Sequence, residues 1–588
     1  MAVRISVGDE SFDEIRKAGL YYVDKTELLY DLAGRTNNKV TLFTRPRRFG
    51  KTLNMSMMES FFDLHRDSKD VFEGLDILKH QEFCSEWMNR YPVLFISFKD
   101  VDGLDFEKAY AKLCIVMADL CKKLENLPSC KGINGADAEV FERLMYQRAS
   151  EADVQNALKT IMRMMNAAYG KPVILLIDEY DVPLAKASEK NFCAESILQE
   201  PLREPCNHNS ADKSAFLSGV ASATPDKIYY EQMLDVIKGM LSIALKTNEY
   251  LKFAVITGCL RIAKESIFTG TNNFASYSVL DEDFSEYFGF TQEEVDRLLT
   301  EADCMDAGEI VREWYDGYVF GDSQVYCPWD VASYVAALMR RRDAEPKNYW
   351  RNTSSNGVIR DFVNRSDWGI PDKFETIMNG GTVTVTVSDE LTYDTLHESE
   401  QNLWSILLMT GYLTKADPTV RGRTTALKIP NAEIAGIFED TVVKLFTDTL
   451  DSNRQKELMA ALWEGDIEES EKLLSDFLWD TISYHDYHED YYHAFMAGLF
   501  VGLGYSVESN EESGLGRFDI RARDRRNRRV MILEVKKADS AARMNAACDE
   551  ALQQIVTKGY ARTIEPGYEK VISYGIAFYQ KSAMIKRL

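Results

Sequence analysis

Four short apolar runs in the first 290 residues constrain this chain more than any other feature. They are Val40–Thr44, Val93–Phe98, Val173–Ile177 and Phe253–Thr257. Each is continuous rather than alternating and has strand length, so each must be buried on both faces. Amphipathic stretches separate them, notably Leu53–Asp63, Phe106–Leu124 and Ala152–Ala168. Buried strands alternating with helices predict an α/β layer with a mostly parallel sheet. Between Ala187 and Gln232 the pattern weakens and Asn, Ser and Pro are frequent, which predicts an insertion or a mobile surface segment.

At 588 residues the chain is too long for one ordinary domain. From Thr291 to Met339 the pattern turns helical, broken by WYDGYVFGDSQVYCPWD. From Pro346 to about Trp479 more helices follow, with one β-like stretch, Gly381–Val387, whose TVTVTV alternation fits a half-exposed strand. Gln455–Trp479 is charged and helical and reads as an arm before a last, compact helix–strand–helix region beyond Tyr484. The expected division is 1–285, 286–345, 346–479 and 480–588.

Hydrophobic residues make up 45% of the chain and aromatics 11%, enough to build real cores. No stretch approaches the roughly 18 uninterrupted apolar residues of a membrane span, and the N-terminal segment lacks the apolar run of a secretory signal. The ten cysteines form no CxxC pair, which predicts reduced, mostly buried thiols in a cytoplasmic protein. Seven histidines and no Cys cluster supply no tetrahedral zinc set. The net charge of −24 argues against nonspecific coating of DNA or an anionic membrane by the whole surface. The charge is uneven: the last hundred or so residues are close to neutral or slightly positive, and Arg517–Arg529 alone holds seven arginines. That run is either a solvated hairpin with basic tips or a phosphate-contacting element.

The first chemistry lies in VTLFTRPRRFGKTLNMSMMESFF. A β-run ends at Thr44, a loop follows, and Gly50–Lys51–Thr52 opens a helix. In a P-loop, backbone N–H groups and the helix N-terminus wrap phosphates, the lysine reaches the β/γ oxygens, and the Ser/Thr hydroxyl ligates magnesium. The first glycine of the usual GxxxxGK[ST] is absent, and Arg45 stands there, followed by Pro46. Arg47 and Arg48 either add charge at the phosphates or sit on the surface. Val173–Ile177 runs into Asp178–Glu179, the Walker B arrangement in which a strand-end Asp holds magnesium and the next Glu polarises an attacking water. Asp181 is available as a second acid. Thr257, at the end of the fourth run, is either a γ-phosphate sensor or a helix cap, and Arg261 and Lys264 follow it. The expected nucleotide contacts are Arg45, Arg48, Gly50, Lys51, Thr52, Asp178, Thr257 and Arg261. Thr52 and Asp178 would hold Mg²⁺, and Glu179 would be catalytic.

These segments, together with YYVDKT (Tyr21–Thr26), LIDEYDVPL (Leu176–Leu184), TGCLRIAKESIFTGTNNF (Thr257–Phe274) and WYDGYVFG (Trp314–Gly321), resemble the AAA-ATPase-like proteins of anaerobic and gut bacteria. That family also carries RPRRFGK where a standard P-loop has its first glycine. The resemblance spans roughly residues 5–330 and implies an ATP-binding core with a helical or winged-helix lid.

The second chemistry lies near the C-terminus: Glu489-x-x-Tyr492-His493, GLGRFD ending at Asp519, LEVK with Glu534 and Lys536, and Gln554-Ile555. Glu534 and Lys536 alternate on one strand, so both side chains point to one face. Carboxylates from neighbouring strands, Asp519 and Glu534, can converge on one or two Mg²⁺ ions. A lysine two residues on can orient or deprotonate water and offset transition-state charge. Gln554, on the following helix, can steady Lys536 or that water. His485, His488 and His493 are spaced too widely around a helix to converge on one ion, and His493 reads as a packing residue. The string, with Gly514, Gly516 and Arg517, resembles the PD-(D/E)XK nuclease domain that commonly follows the AAA-ATPase-like domain. By that likeness Asp519, Glu534 and Lys536 form the catalytic core, with Glu489 and Gln554 accessory.

Residues 290–470 offer no defensible chemistry. Trp314, Tyr315, Tyr318 and Trp329 either stack bases or form a lid core. The whole therefore reads as an α/β multidomain protein: a P-loop NTPase parallel sheet with a helical lid, a helical middle region, and a small α/β restriction-endonuclease-like domain. The expected function is ATP binding, with ATP and Mg²⁺ as cofactors, coupled to a Mg²⁺-dependent nuclease acting on DNA or RNA. The alternative is a nucleotide-dependent switch or scaffold whose last domain binds nucleic acid or a protein without cutting. A homo-oligomer is compatible with either, and a membrane partner with neither.

Overall fold

The computed structural model describes residues 3–188, 225–261, 273–350, 370–378, 380–389, 391, 399–420, 422–438, 452–481, 492, 495–496, 499–500, 506–509, 512–513, 516–517, 520–524, 527–559 and 568–588. The chain divides into two compact units, Met1–Tyr349 with Thr384–Asn431, and Trp350–Val383 with Ala432–Leu588.

The first unit is organised by a five-stranded sheet. Its strands are β1 (Val40–Thr44), β2 (Val93–Ser97), β3 (Val173–Asp178), β4 (Leu251–Gly258) and β5 (Phe274–Tyr277), in the order β2-β3-β4-β1-β5. Every neighbouring pair is parallel. The four apolar runs are thus β1–β4, and β1 and β3 are buried along their whole length. The order places β4 between β1 and β3. The C-terminal ends Thr44, Asp178 and Gly258 therefore share one rim, where open α/β sheets bind ligands.

The helices follow local signals. α1 (Lys51–Phe62) starts after Gly50, which has φ of 79°. α2 (Glu151–Tyr169) opens on a reciprocal Ser150–Asp153 capping box and stops at Gly170 in the left-handed region. Residues 189–224 of the segment expected to be an insertion lie outside the described residues, and the helix Pro225–Leu245 occupies its remaining part. β5 is a strand the apolar pattern misses, because FASY at the sheet's edge is only half-buried.

Beyond the sheet, α3 (Gln292–Glu301) has its own capping box from Thr291 and Glu294. Glu294 also grips the buried Lys25, whose Nζ lies 2.6 and 2.7 Å from its carboxylate oxygens. The neighbouring Asp24 accepts from Thr26 and from the N–H of Asp76. The YYVDKT motif is therefore a joint between the N-terminal segment and α3. The helix Gly308–Tyr315, the hairpin of β6 (Tyr318–Phe320) and β7 (Ser323–Val325), and α4 (Pro328–Arg340) follow. Tyr315 and Tyr318 are buried, and Tyr315 joins Val331, Tyr334 and Val335 in one apolar cluster. These aromatics build a core rather than a base-stacking platform. The TVTVTV stretch forms β8 (Val383–Thr386), with alternate residues buried and exposed as its period requires. β9 (Thr414–Lys415) pairs antiparallel with β10 (Thr424–Lys428).

The second unit carries another five-stranded sheet. Its strands are β11 (Ser506–Ser509), β14 (Ile520–Asp524), β15 (Arg529–Lys537), β16 (Lys570–Tyr579) and β17 (Ser582–Arg587), in that order across the sheet. A short ladder of β12 (Glu512–Ser513) and β13 (Gly516–Arg517) lies between β11 and β14 in the chain. Only β15 and β16 run parallel, joined by the crossover helix α7 (Met544–Lys558). The charged stretch that reads as an arm is two helices, α5 (Ser452–Glu464) and α6 (Ile467–Thr481). They flank Gly465, whose φ is 87°. Ser475 and Glu471 on α6 accept the outward N–H groups of Ala583 and Ile585. This satisfies an edge strand that would otherwise template pairing with another chain. α5 is tied down in turn, since its Leu462 and Trp463 carbonyls accept from Tyr574 Oη and Lys570 Nζ.

Candidate functional site

At the rim of the first sheet, the left-handed Gly50 turns the chain into α1, so Lys51 and Thr52 occupy the helix's first turn. A helix N-terminus with free N–H groups favours an anion. Lys51 is buried, and its Nζ donates to the carbonyls of Arg45 (2.9 Å) and Pro46 (2.8 Å), with Cys259 Sγ at 3.9 Å. Thr52 Oγ1 donates to Asp178 Oδ2 at 2.9 Å, and Thr257 Oγ1 donates to Asp178 Oδ1 at 2.5 Å. Asp178 is fully buried. One carboxylate thereby joins the helix after β1 to the end of β4. A hydroxyl and a carboxylate in contact are hard oxygen donors of the type Mg²⁺ takes, beside a lysine suited to phosphate.

Glu179 follows with φ of 52°, a conformation costly for a side chain of this kind. Burial pushes its carboxyl above the ordinary range, opposed by the charge of Lys51 and, more weakly, of Arg47. Asp181, expected as a second acid, lies against the turn after β4. Its Oδ2 accepts the N–H groups of Cys259 and Leu260, each at 2.9 Å, and so shapes the turn after β4. A Cβ at Gly258 would stand 2.7 Å from Asp181 Oδ1 and from the Tyr180 ring, so that turn requires glycine.

The three loop arginines separate. Arg45 is fully buried, and its Nη1 donates to the carbonyls of Thr44 and Tyr277. Arg48, with φ of 70°, lies 4.1 Å over the Trp329 ring and donates to the Tyr349 carbonyl. Arg47, half-buried, is the one whose charge acts on both Glu179 and Cys259. Arg261 pairs at 3.7 Å with Asp389. Lys264 lies outside the described residues. The structure thus gathers Gly50, Lys51, Thr52, Asp178, Glu179 and Thr257, and sends the side chains of Arg45, Arg48 and Arg261 to other partners. Cys259 is a neighbour of Lys51 that no local sequence pattern announces; it follows Thr257 by two residues, and only the parallel register of β1 and β4 brings it close.

In the second unit, Glu534 and Lys536 lie two apart on β15, facing α7. Glu534 is fully buried, and Lys536 Nζ is 4.0 Å from its Oε1. Val530 and Ile532, on the same face, pack on Ile555 of α7, the residue after Gln554. Gly575 stands beside Glu534 in the β15–β16 register. A Cβ there would meet the Cys548 carbonyl at 2.6 Å and Ala551 Cβ at 3.0 Å, so the missing side chain lets α7 close over the sheet. Tyr492 is buried, stacks on Phe578 with centroids 4.5 Å apart, and donates to the Gln580 carbonyl. Glu489, His485, His488, His493, Gly514 and Asp519 lie outside the described residues. Among the described residues no three His, Cys, Asp or Glu side chains converge as a metal set. Glu534 is a suitable oxygen donor, but it makes up only part of such a set.

Several arginines of the basic run serve the fold. Arg521 is buried, and Arg529 donates to Asp524 and lies 4.3 Å over the Trp463 ring. Arg528, at the exposed hairpin tip, pairs with Glu569.

Residues 6–229 match the family model described as "Predicted AAA-ATPase", and residues 487–588 match that of the PD-(D/E)XK nuclease superfamily. The chain therefore carries an AAA-ATPase-like domain and a C-terminal nuclease-type domain. A relative from Azotobacter chroococcum mcd 1, described as "Uncharacterized protein in vnfD 5'region", is 23% identical over 604 residues. The match spans 99% of this chain and 98% of that protein, so the likeness runs the length of both. No helix among the described residues is long and apolar enough to cross a membrane.

Proposed function

We propose that this chain is an ATP-regulated, metal-dependent nuclease acting on DNA or RNA in the cytoplasm. The observation that carries the nucleotide half is the Thr52–Asp178–Thr257 string, which links a helix N-terminus, a strand-end acid and a third strand in one hydrogen-bonded unit. Lys51 and the first turn of α1 would hold the phosphates, and Thr52 with Asp178 would hold Mg²⁺, which neutralises phosphate charge when bound. Glu179 would take the proton of the attacking water.

Glu534 and Lys536, with Asp519, would form the nuclease centre, and Glu489 and Gln554 would support it. A metal there polarises the scissile phosphate when bound. Lys536 would steady the water and offset charge on the pentavalent transition state. Control is the physical reason to join the two domains, since an unregulated nuclease would damage its host.

The test incubates the purified chain with plasmid, single-stranded DNA and RNA, with Mg²⁺ or Mn²⁺, and with or without ATP. Metal-dependent cutting that ATP alters, and that Asp519→Ala, Glu534→Ala and Lys536→Ala each abolish, is the expected result. Cutting unaffected by those substitutions would reject the site. Tight ATP binding with no cutting under any metal would leave a nucleotide-dependent switch or scaffold.

A further inference from the structure

We propose that Arg45 is the positioning residue of the nucleotide loop: its locked side chain fixes its own carbonyl, and that of Pro46, as acceptors for Lys51. The idea rests on Lys51 binding nucleotide, as proposed above. A P-loop ordinarily makes its first tight turn with glycine, and a large charged side chain in that place needs another way to hold the turn.

The contacts of Arg45 supply one. Its backbone N–H donates to the Gly258 carbonyl, at the end of β4. Its Nη1 donates to Thr44, at the end of β1, and to Tyr277, at the end of β5, both at 2.9 Å. One residue thus staples three strand ends. Its guanidinium lies over the Phe288 and Phe320 rings, 5.2 and 5.5 Å from their centroids. Phe49, in the same loop, packs on Tyr318 and Phe320. The loop is therefore held from outside by the segment that follows the sheet.

The arrangement is expensive. Arg45 is fully buried, forms no ion pair among the described residues, and leaves Nε and Nη2 without an acceptor there. Burial drags the pKa of its guanidinium down to about 9, against the pull of the Asp281 charge, and it stays charged at neutral pH. A buried charge held by no direct ion pair, with only the more distant charge of Asp281 in its favour, is destabilising, and an apolar side chain of similar volume would pack here at lower cost. Such a violation of local rules marks a functional demand. That demand is visible in Lys51 Nζ, which is held by the Arg45 and Pro46 carbonyls.

The experiment measures MgATP binding to the full chain by calorimetry for the parent, Lys51→Ala, Arg45→Met and the double variant, with a thermal melt for each. Lys51→Ala should bind at least about tenfold more weakly. Arg45→Met should lose a similar factor while still melting cooperatively, and the double variant should bind like Lys51→Ala alone, because both changes remove one function. Binding by Arg45→Met within about twofold of the parent, or losses that multiply in the double variant, would overturn the role of Arg45 and leave the nucleotide site standing. Equal binding by the parent and Lys51→Ala would instead remove the site itself. Should Arg45→Met fail to fold, Arg45→Lys decides. Its single ammonium keeps the charge but not the planar fork, so weaker binding that is non-additive with Lys51→Ala supports the proposal, and parental binding rejects it.

Discussion

The hydroxyl of Thr52 lies 2.9 Å from Oδ2 of Asp178, a residue 126 positions further along the chain. Thr257 takes the other oxygen of the same carboxylate. Asp178 is buried, so each hydroxyl answers a charge that water cannot reach. Thr52→Val keeps the shape and removes one donor. It should cost about 1–3 kcal/mol of stability, the usual penalty for leaving a buried polar group unsatisfied. Chemical denaturation would measure the loss, and MgATP affinity should fall with it. An unchanged midpoint would mean that the Thr52 bond contributes nothing.

Glu179 yields a prediction about pH. Its carboxyl is raised, first by burial and against the pull of Lys51. As a general base it must be ionised, so the acid limb of ATP turnover should lie above the ordinary glutamate range and fall as pH drops through the raised value. A raised folded pKa favours the protonated form, so the stabilisation is full below the unfolded value and is lost as pH rises through the folded one. Glu179→Gln should therefore abolish turnover, retain ATP binding, and melt at or above the parent temperature at neutral pH. A turnover profile whose acid limb survives this substitution would assign the base elsewhere.

Much of this is legible in the sequence. β1 to β4 announce themselves because strands buried on both faces must be continuously apolar, and the ends of α1 and α2 fall within two residues of those expected. GKT and the strand-end Asp–Glu pair are local in sequence, and so they were readable. β5 was not, since a half-buried edge strand has no such run. Nor were the directions of the loop arginines. Residue type gives Arg45 and Arg48 a charge, but Phe288, Phe320 and Trp329, more than two hundred residues later, decide where each guanidinium goes. Asp181 reads as a spare acid by its neighbours in sequence, and only the turn after β4 makes it an acceptor of backbone N–H groups.

The two proposed centres should be separable by mutation. Glu534→Gln and Lys536→Ala should each lower metal-dependent cleavage by about 10²-fold or more, the scale on which single electrostatic stabilisers act, with MgATP affinity unchanged. Lys51→Ala should weaken ATP binding and abolish the effect of ATP on cleavage, while leaving the nucleotide-independent rate in place. Parallel calorimetry and cleavage assays would read both. If Lys51→Ala leaves the ATP response intact, regulation through this site is rejected.

Gly575 offers a sharper test of how the nuclease-type centre is built. In most strand interiors, replacing glycine with alanine is favourable by roughly 0.5–1 kcal/mol, because glycine loses more freedom on folding. Here the added Cβ would meet the Cys548 carbonyl at 2.6 Å, and Ala551 Cβ and Leu552 Cγ at 3.0 Å. A backbone carbonyl cannot swing aside as a flexible side chain does, so α7 must lift from the sheet. Overpacking of this kind typically costs about 1–3 kcal/mol and outweighs the entropic gain. Gly575→Ala should therefore lower the melting temperature of this unit. It should also lower cleavage, because Glu534 is the β15 neighbour of Gly575 and α7 carries Gln554. ATP binding should be untouched. A variant that melts higher than the parent and cuts normally would mean that α7 is not seated by Gly575, and that its packing over Glu534 does not govern the centre.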